Sequence, residues 1–196
     1  MSEAIEVTDH TPHWADQFRQ LHGQLAPHVA DIGASIEHVG STAVPGCAAK
    51  PIIDVDIVVA DASVMPTLIS RLTERGYRHE GDLGITGREA FRAPDHPIPH
   101  HLYGVVEGSK PHLDHVLFRD YLRRNPDEVR RYSELKRTLA RRFTGDAAGR
   151  AGYTEAKGGL VGELLEKAYG TAGRPWPDGE NQPRRGARVP RGTAPH

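Results

Sequence analysis

Cysteine is almost absent: Cys47 is the only one in 196 residues. One thiol excludes an internal disulfide and a cysteine-rich structural zinc site. No apolar stretch reaches the roughly 18 residues that a membrane-spanning helix needs. The opening residues, MSEAIEVTDH, have neither the basic nor the apolar region of a secretory signal, so a cytoplasmic protein is expected. An excess of one charge is also missing. Lys and Arg number 25 against 26 Asp and Glu, for a net charge of −1. A nucleic-acid partner gripped by bulk positive charge is therefore not expected. No GxxxxGK[ST] phosphate loop, no helical HxxxH or HExxH metal motif and no internal repeat is present.

The length suits one domain with an extension. Composition changes near Gly170: residues 170–196 hold five Pro, five Gly and five Arg against two acids. So few apolar residues predict a basic, disordered tail at 170–196, either merely solvated or touching RNA or an acidic partner. Residues 1–169 form the expected folded body. Thr11-Pro12 opens a helix carrying Trp14, Phe18, Leu21 and Leu25 on one face. Ser35–Val39 and the β-branched run Ile52–Val59 predict strands. A helix is expected over Ser63–Arg75, stopped by Gly76. Short strands follow at Tyr77–His79, Glu89–Arg92 and Leu102–Val106. Asn125-Pro126-Asp127-Glu128 starts one long helix, and a last one spans about Thr154 to Tyr169. This order predicts an α+β fold with a mixed sheet.

Chemistry concentrates in residues 36–59. Asp54 and Asp56 lie two apart in an apolar strand, so both carboxylates leave the same face. Two like charges there repel and lose hydration unless the edge is solvated or a divalent cation is bound. Mg²⁺ is the ion that pairs one or two carboxylates with substrate phosphates. Upstream, Gly40-Ser41-Thr42 forms a turn whose N–H groups and hydroxyls suit phosphate oxygens. Lys50 could neutralise a triphosphate, and Arg88 could do the same from the start of a strand. Arg119 and Arg123 are four apart and share a helical face, either lining the cleft as phosphate ligands or making structural ion pairs. Lys136 and Lys157 are similar cases. Cys47 reads as a small apolar loop residue. His96, His100, His101, His112 and His115 crowd into twenty residues, as loop and surface groups or as a transition-metal site.

The glycine-serine turn followed by the acidic pair is the pattern of the nucleotidyltransferase superfamily. The chain resembles the GrpB family within it, through His38–Gly46 (HVGSTAVPG), Ala49–Asp54 (AKPIID), Arg88, His101-Leu102, Phe118–Arg123 and Tyr153-Thr154. The likeness covers about residues 5–169. It implies a nucleotidyltransferase-like mixed sheet flanked by helices, with further helices toward the C-terminus. Such proteins usually carry a third carboxylate on a later strand. Here that strand offers His101 in its place, as a ligand for Mg²⁺ or Mn²⁺ or as a general base. Many family members have a second histidine where this chain has Tyr103. The resemblance implies metal-dependent transfer of a nucleoside monophosphate from a nucleoside triphosphate to a small acceptor. It leaves open a non-catalytic auxiliary domain, as in relatives joined to dephospho-CoA kinase, or another transfer or ligation reaction in the same cleft.

Overall fold

In the computed structural model, residues 4–177 are described. Thr11 Oγ accepts the N–H of His13 at 3.3 Å and starts α1 (His13–Val29). Trp14, Leu21, Leu25 and Val29 form its buried stripe. After β1 (Ser35–Val39) and β2 (Ile53–Val59), the Asp61 carboxylate accepts the Ser63 N–H at 2.7 Å and leads through a short turn into α2 (Met65–Glu74). Strands β3 (Arg78–Gly81), β4 (Arg88–Arg92) and β5 (His100–Val106) follow. Three helices complete the body: α3 (Lys110–Arg124), α4 (Pro126–Arg142) and α5 (Ala147–Thr171).

The sheet order is β1-β2-β5-β4-β3, with only β2 and β5 parallel. Alternation along β2 decides what each face does. Ile53, Val55, Ile57 and Val59 join Leu102 of β5 in a core with Leu21 and Leu25 of α1 and Leu68 and Leu72 of α2. Fully burying each such side chain is worth about 1.5–3 kcal/mol. Asp54 and Asp56 leave the opposite face, which α3 partly covers. A second core there joins Val44 and Cys47 to Leu122 of α3, Val129 and Tyr132 of α4, and Leu164 and Ala168 of α5. Register places Asp54 between Val39 and His101, and Asp56 between Glu37 and Tyr103.

The mixed α+β sheet expected from the sequence is present, and strand bounds differ by one or two residues. Three differences have physical causes. Helix α3 was not expected beyond its last turn, because the side it turns to β1 and β2 is polar, carrying His112, His115 and Arg119. Helix α5 begins at Ala147, seven residues before the expected start. Asp146 caps it by accepting the Gly149 N–H at 2.8 Å, and its glycine- and alanine-rich first turns carry no apolar stripe to reveal them. The compositional break at Gly170 does not end this helix, which runs to Thr171, and Trp176 rests edge-on against Tyr169 with ring centres 5.1 Å apart. Positions 178–196, the rest of the expected tail, lie outside the described residues. No described helix is long and apolar enough to cross a membrane.

Candidate functional site

Gly40 follows β1 with φ 70° and ψ −170°, a conformation open essentially to glycine alone. A Cβ built on it would fall inside the Asp54 carboxylate. The turn backbone therefore lies directly against that acid. The turn closes through Ala43 N–H to Gly40 O at 3.3 Å and Val44 N–H to Ser41 O at 3.2 Å. Thr42 is buried, and its hydroxyl pairs with His38 Nε2 at 3.0 Å. Ser41 Oγ accepts from Lys136 Nζ at 2.9 Å.

Lys136 is only 3% exposed. Its ammonium also donates to Cys47 Sγ at 3.2 Å and lies 4.0 Å from the centre of the Tyr132 ring. Burial pulls its pKa down to about 8. The small loop cysteine is thus a buried hydrogen-bond acceptor for that lysine.

The two acids meet different surroundings. The Asp54 side chain is 29% exposed, and its Oδ1 accepts from His101 Nδ1 at 2.9 Å, a bond that raises the imidazole pKa. Asp56 is 0% exposed. Its Oδ2 accepts from His115 Nδ1 at 2.8 Å, while its Oδ1 is buried without a partner among the described residues. Burial works against protonation of His115, but the Asp56 bond and charge outweigh it and the pKa rises. Each aspartate therefore orients one imidazole through Nδ1.

Lysines gather on the Asp54 side. Lys50 lies over the Tyr153 ring at 4.5 Å, and Lys157 lies 5.7 Å from the same ring. Burial lowers the pKa of both, and the Asp54 charge opposes that shift, as it does for Lys136. Three ammonium groups, from a loop, α4 and α5, thus share the field of one carboxylate.

Arg119 and Arg123 of α3 brace the turn from outside. Arg119 donates to Glu37 Oε2 at 2.8 Å and to the His38 carbonyl at 3.0 Å, and its Nε donates to Asp120 at 2.8 Å. Arg123 Nε donates to the Ala43 carbonyl at 3.0 Å. These carbonyls flank Gly40-Ser41-Thr42 on either side. His112 and Arg119 together hold the Glu37 carboxyl down to about 2. Arg88 stacks over the Tyr103 ring at 4.7 Å, and its Nε is buried without a hydrogen-bond partner among the described residues.

Asp54, Asp56, His101, Gly40 and Ser41 lie around one face of β2, and Lys50 feels the Asp54 charge. Thr42 turns inward, Arg119 and Arg123 are engaged with protein groups, and Arg88 sits across Tyr103. His112 and His115 were not singled out as site residues. Their signal was present: 112, 115 and 119 share the i, i+3, i+7 spacing of one helical face, all cationic or basic, opposite an acidic strand. Among the described residues no three His, Cys, Asp or Glu side chains are grouped to hold a metal ion by themselves.

Comparison with known proteins agrees with this architecture. A UPF0157 protein of Pseudomonas aeruginosa is 34% identical over 179 residues, spanning 88% of this chain and 71% of that protein. A dephospho-CoA kinase of Mycolicibacterium paratuberculosis is 29% identical over 167 residues, but the match takes in only 41% of that longer protein. The crystal structure of the conserved protein GrpB from Enterococcus faecalis superposes with a TM-score of 0.75 at 29% identity, covering 86% of this chain and all of that one. The profile described as GrpB protein matches residues 4–167, and on that extent the chain belongs to the GrpB family.

Proposed function

We propose that the protein transfers a nucleoside monophosphate from a nucleoside triphosphate to a small acceptor, with Mg²⁺ or Mn²⁺ held by Asp54 and Asp56. The observation that carries this reading is the partnerless, buried Oδ1 of Asp56 beside Asp54 on one strand face. A buried anionic oxygen without a donor is costly, and a divalent cation is the group that would satisfy it. Among the described residues no third protein ligand is grouped with the pair. Phosphate oxygens and water would complete the shell, as is usual for Mg²⁺. When bound, the ion would neutralise charge on the reacting phosphate.

The chain's own groups do the remaining work. The Gly40-Ser41 turn approaches the phosphates with its backbone, and Lys136 fixes the position of the Ser41 oxygen. Lys50 and Lys157 meet the charge of the outer phosphates. An acceptor hydroxyl or amine attacks the α-phosphorus, and the bond to pyrophosphate breaks with its electron pair leaving on pyrophosphate. The acceptor proton passes to His101 Nε2, the ring nitrogen turned away from Asp54. Positioning and charge neutralisation supply most of the acceleration.

A second reading is a non-catalytic auxiliary domain. The complete burial of Asp56 favours it, as does the likeness to part of a dephospho-CoA kinase. Calorimetric titration with ATP, GTP, CTP and UTP, with and without Mg²⁺ or Mn²⁺, separates the two. Metal-dependent binding of at least one nucleotide is expected. The Asp54→Asn/Asp56→Asn double variant should lose it while keeping its circular dichroism spectrum. Silence with all four nucleotides in the wild-type protein would support the auxiliary reading.

A further inference from the structure

Cations on the Asp54 side outnumber the acid they face. Lys50 comes from the loop before β2, and Arg150, Tyr153 and Lys157 of α5 share one helical face at i, i+3, i+7 spacing. The Lys50 ammonium lies 4.5 Å and the Lys157 ammonium 5.7 Å from the centre of the Tyr153 ring, so one ring holds two like charges near each other. No side-chain hydrogen bond or ion pair engages Lys50, Arg150 or Lys157 among the described residues. Burial lowers the pKa of both lysines, and the charges of Lys157 and Arg150 lower that of Lys50 further. Among the described residues Asp54 is the one carboxylate whose charge opposes these shifts. Asp56 is taken up by His115, and Lys136 adds a fourth cation, on which the Lys157 charge also acts. The uncompensated charge is therefore positive.

Cations gathered away from carboxylates repel one another and lose hydration, a cost that a bound anion offsets. The cluster can be reached by one. Lys50 and Lys157 are half-buried, Arg150 is exposed, and about half of the His101 side chain beside Asp54 is open to solvent. Three cations on separate side chains suit linked phosphates, which spread their charge, better than a single phosphate. Lysines meet phosphates as point charges, without the planar fork that selects a carboxylate. Tyr153 is only 2% exposed and cannot stack on a nucleobase, so recognition here is by charge.

We infer that Lys50, Lys157 and Arg150 form a binding site for a condensed phosphate, pyrophosphate or tripolyphosphate, that needs no metal ion. Its place in the reaction rests on the transfer reading above: the site would hold the β- and γ-phosphates of the nucleotide and retain pyrophosphate after transfer. The binding itself does not rest on that reading.

The test is calorimetric titration of the wild-type protein in EDTA with tripolyphosphate, pyrophosphate and orthophosphate. Both condensed phosphates are expected to bind at least tenfold more tightly than orthophosphate. Lys50→Gln and Lys157→Gln should each weaken pyrophosphate at least fivefold, and Arg150→Gln, at an exposed position, by several-fold. Asp54→Asn removes the opposing carboxylate and should tighten pyrophosphate several-fold in EDTA, although the same change weakens metal-dependent nucleotide binding. Lys167→Gln, a lysine already paired with Glu128 and Glu163, should change nothing. Orthophosphate binding as tight as that of pyrophosphate would overturn the inference. So would pyrophosphate binding that appears only with Mg²⁺, or that survives both Lys157→Gln and Arg150→Gln. A wild type that binds pyrophosphate in EDTA but no nucleotide with metal would refute transfer and leave the site standing. Metal-dependent nucleotide binding without pyrophosphate binding in EDTA would do the reverse.

Discussion

Two residues carry contrasting liabilities. Gly40 is needed twice, for its backbone conformation and for the space its missing side chain leaves to Asp54. Gly40→Ala should therefore cost about 2–4 kcal/mol in urea unfolding, more than backbone strain alone, because the carboxylate must also move. A loss below 1 kcal/mol would show that the turn relaxes away from Asp54. Lys136 presents the opposite case. Its ordinary pKa of 10.5 falls to about 8 through burial, so below pH 8 the native state holds a poorly solvated charge. That penalty fades between about pH 8 and 10.5, where the native lysine is neutral and the unfolded one still charged. Lys136→Met should thus raise stability by about 1–3 kcal/mol at pH 7. The gain should shrink toward pH 10.5, while metal-nucleotide affinity falls at least tenfold. Urea melts at pH 7 and 10 with a parallel calorimetric titration check both halves. A variant less stable at both values would mean that the Ser41 and Cys47 contacts outweigh desolvation.

Among elements, β1 and α3 are joined by Glu37, His112 and Arg119 across the mouth of the turn. The Glu37 pKa drops from near 4.5 to about 2. A depressed carboxyl contributes stability in full above its unfolded value and loses it as pH falls through the folded one. The thermal-midpoint gap between wild type and Glu37→Gln should be constant from pH 7 to about 4.5 and narrow steadily below that, closing near pH 2. A gap that does not change with pH would point to lost packing instead of lost charge. The same pair of elements shows what the sequence reveals and what it hides. Strand β2 was legible because its β-branched residues and alternating aspartates carry a period of two. Helix α3 was not, because a helix covering an acidic face needs basic groups inward, and hydrophobic periodicity cannot register a polar stripe. The start of α5 was hidden for a related reason: a cap and small residues form it without an apolar face.

At the scale of the whole molecule, one sheet separates two environments. The face toward α1 and α2 is a continuous apolar core, and the other holds charge, half covered by α3, α4 and α5 and half open. The amino-acid sequence alone determined the alternation that sends Asp54 and Asp56 to the same face, the glycine beside them and the mixed α+β order, because each follows from local geometry and spacing. Only the tertiary structure decided that Asp56 is sealed and bound to His115 while Asp54 stays at the surface. It also decided that Lys136 reaches Ser41 from 95 positions away and that Arg119 and Arg123 hold the turn instead of facing the cleft. Burial and ion pairing depend on which helices pack over a strand, and those distances are set by the assembled core, not by neighbours along the chain.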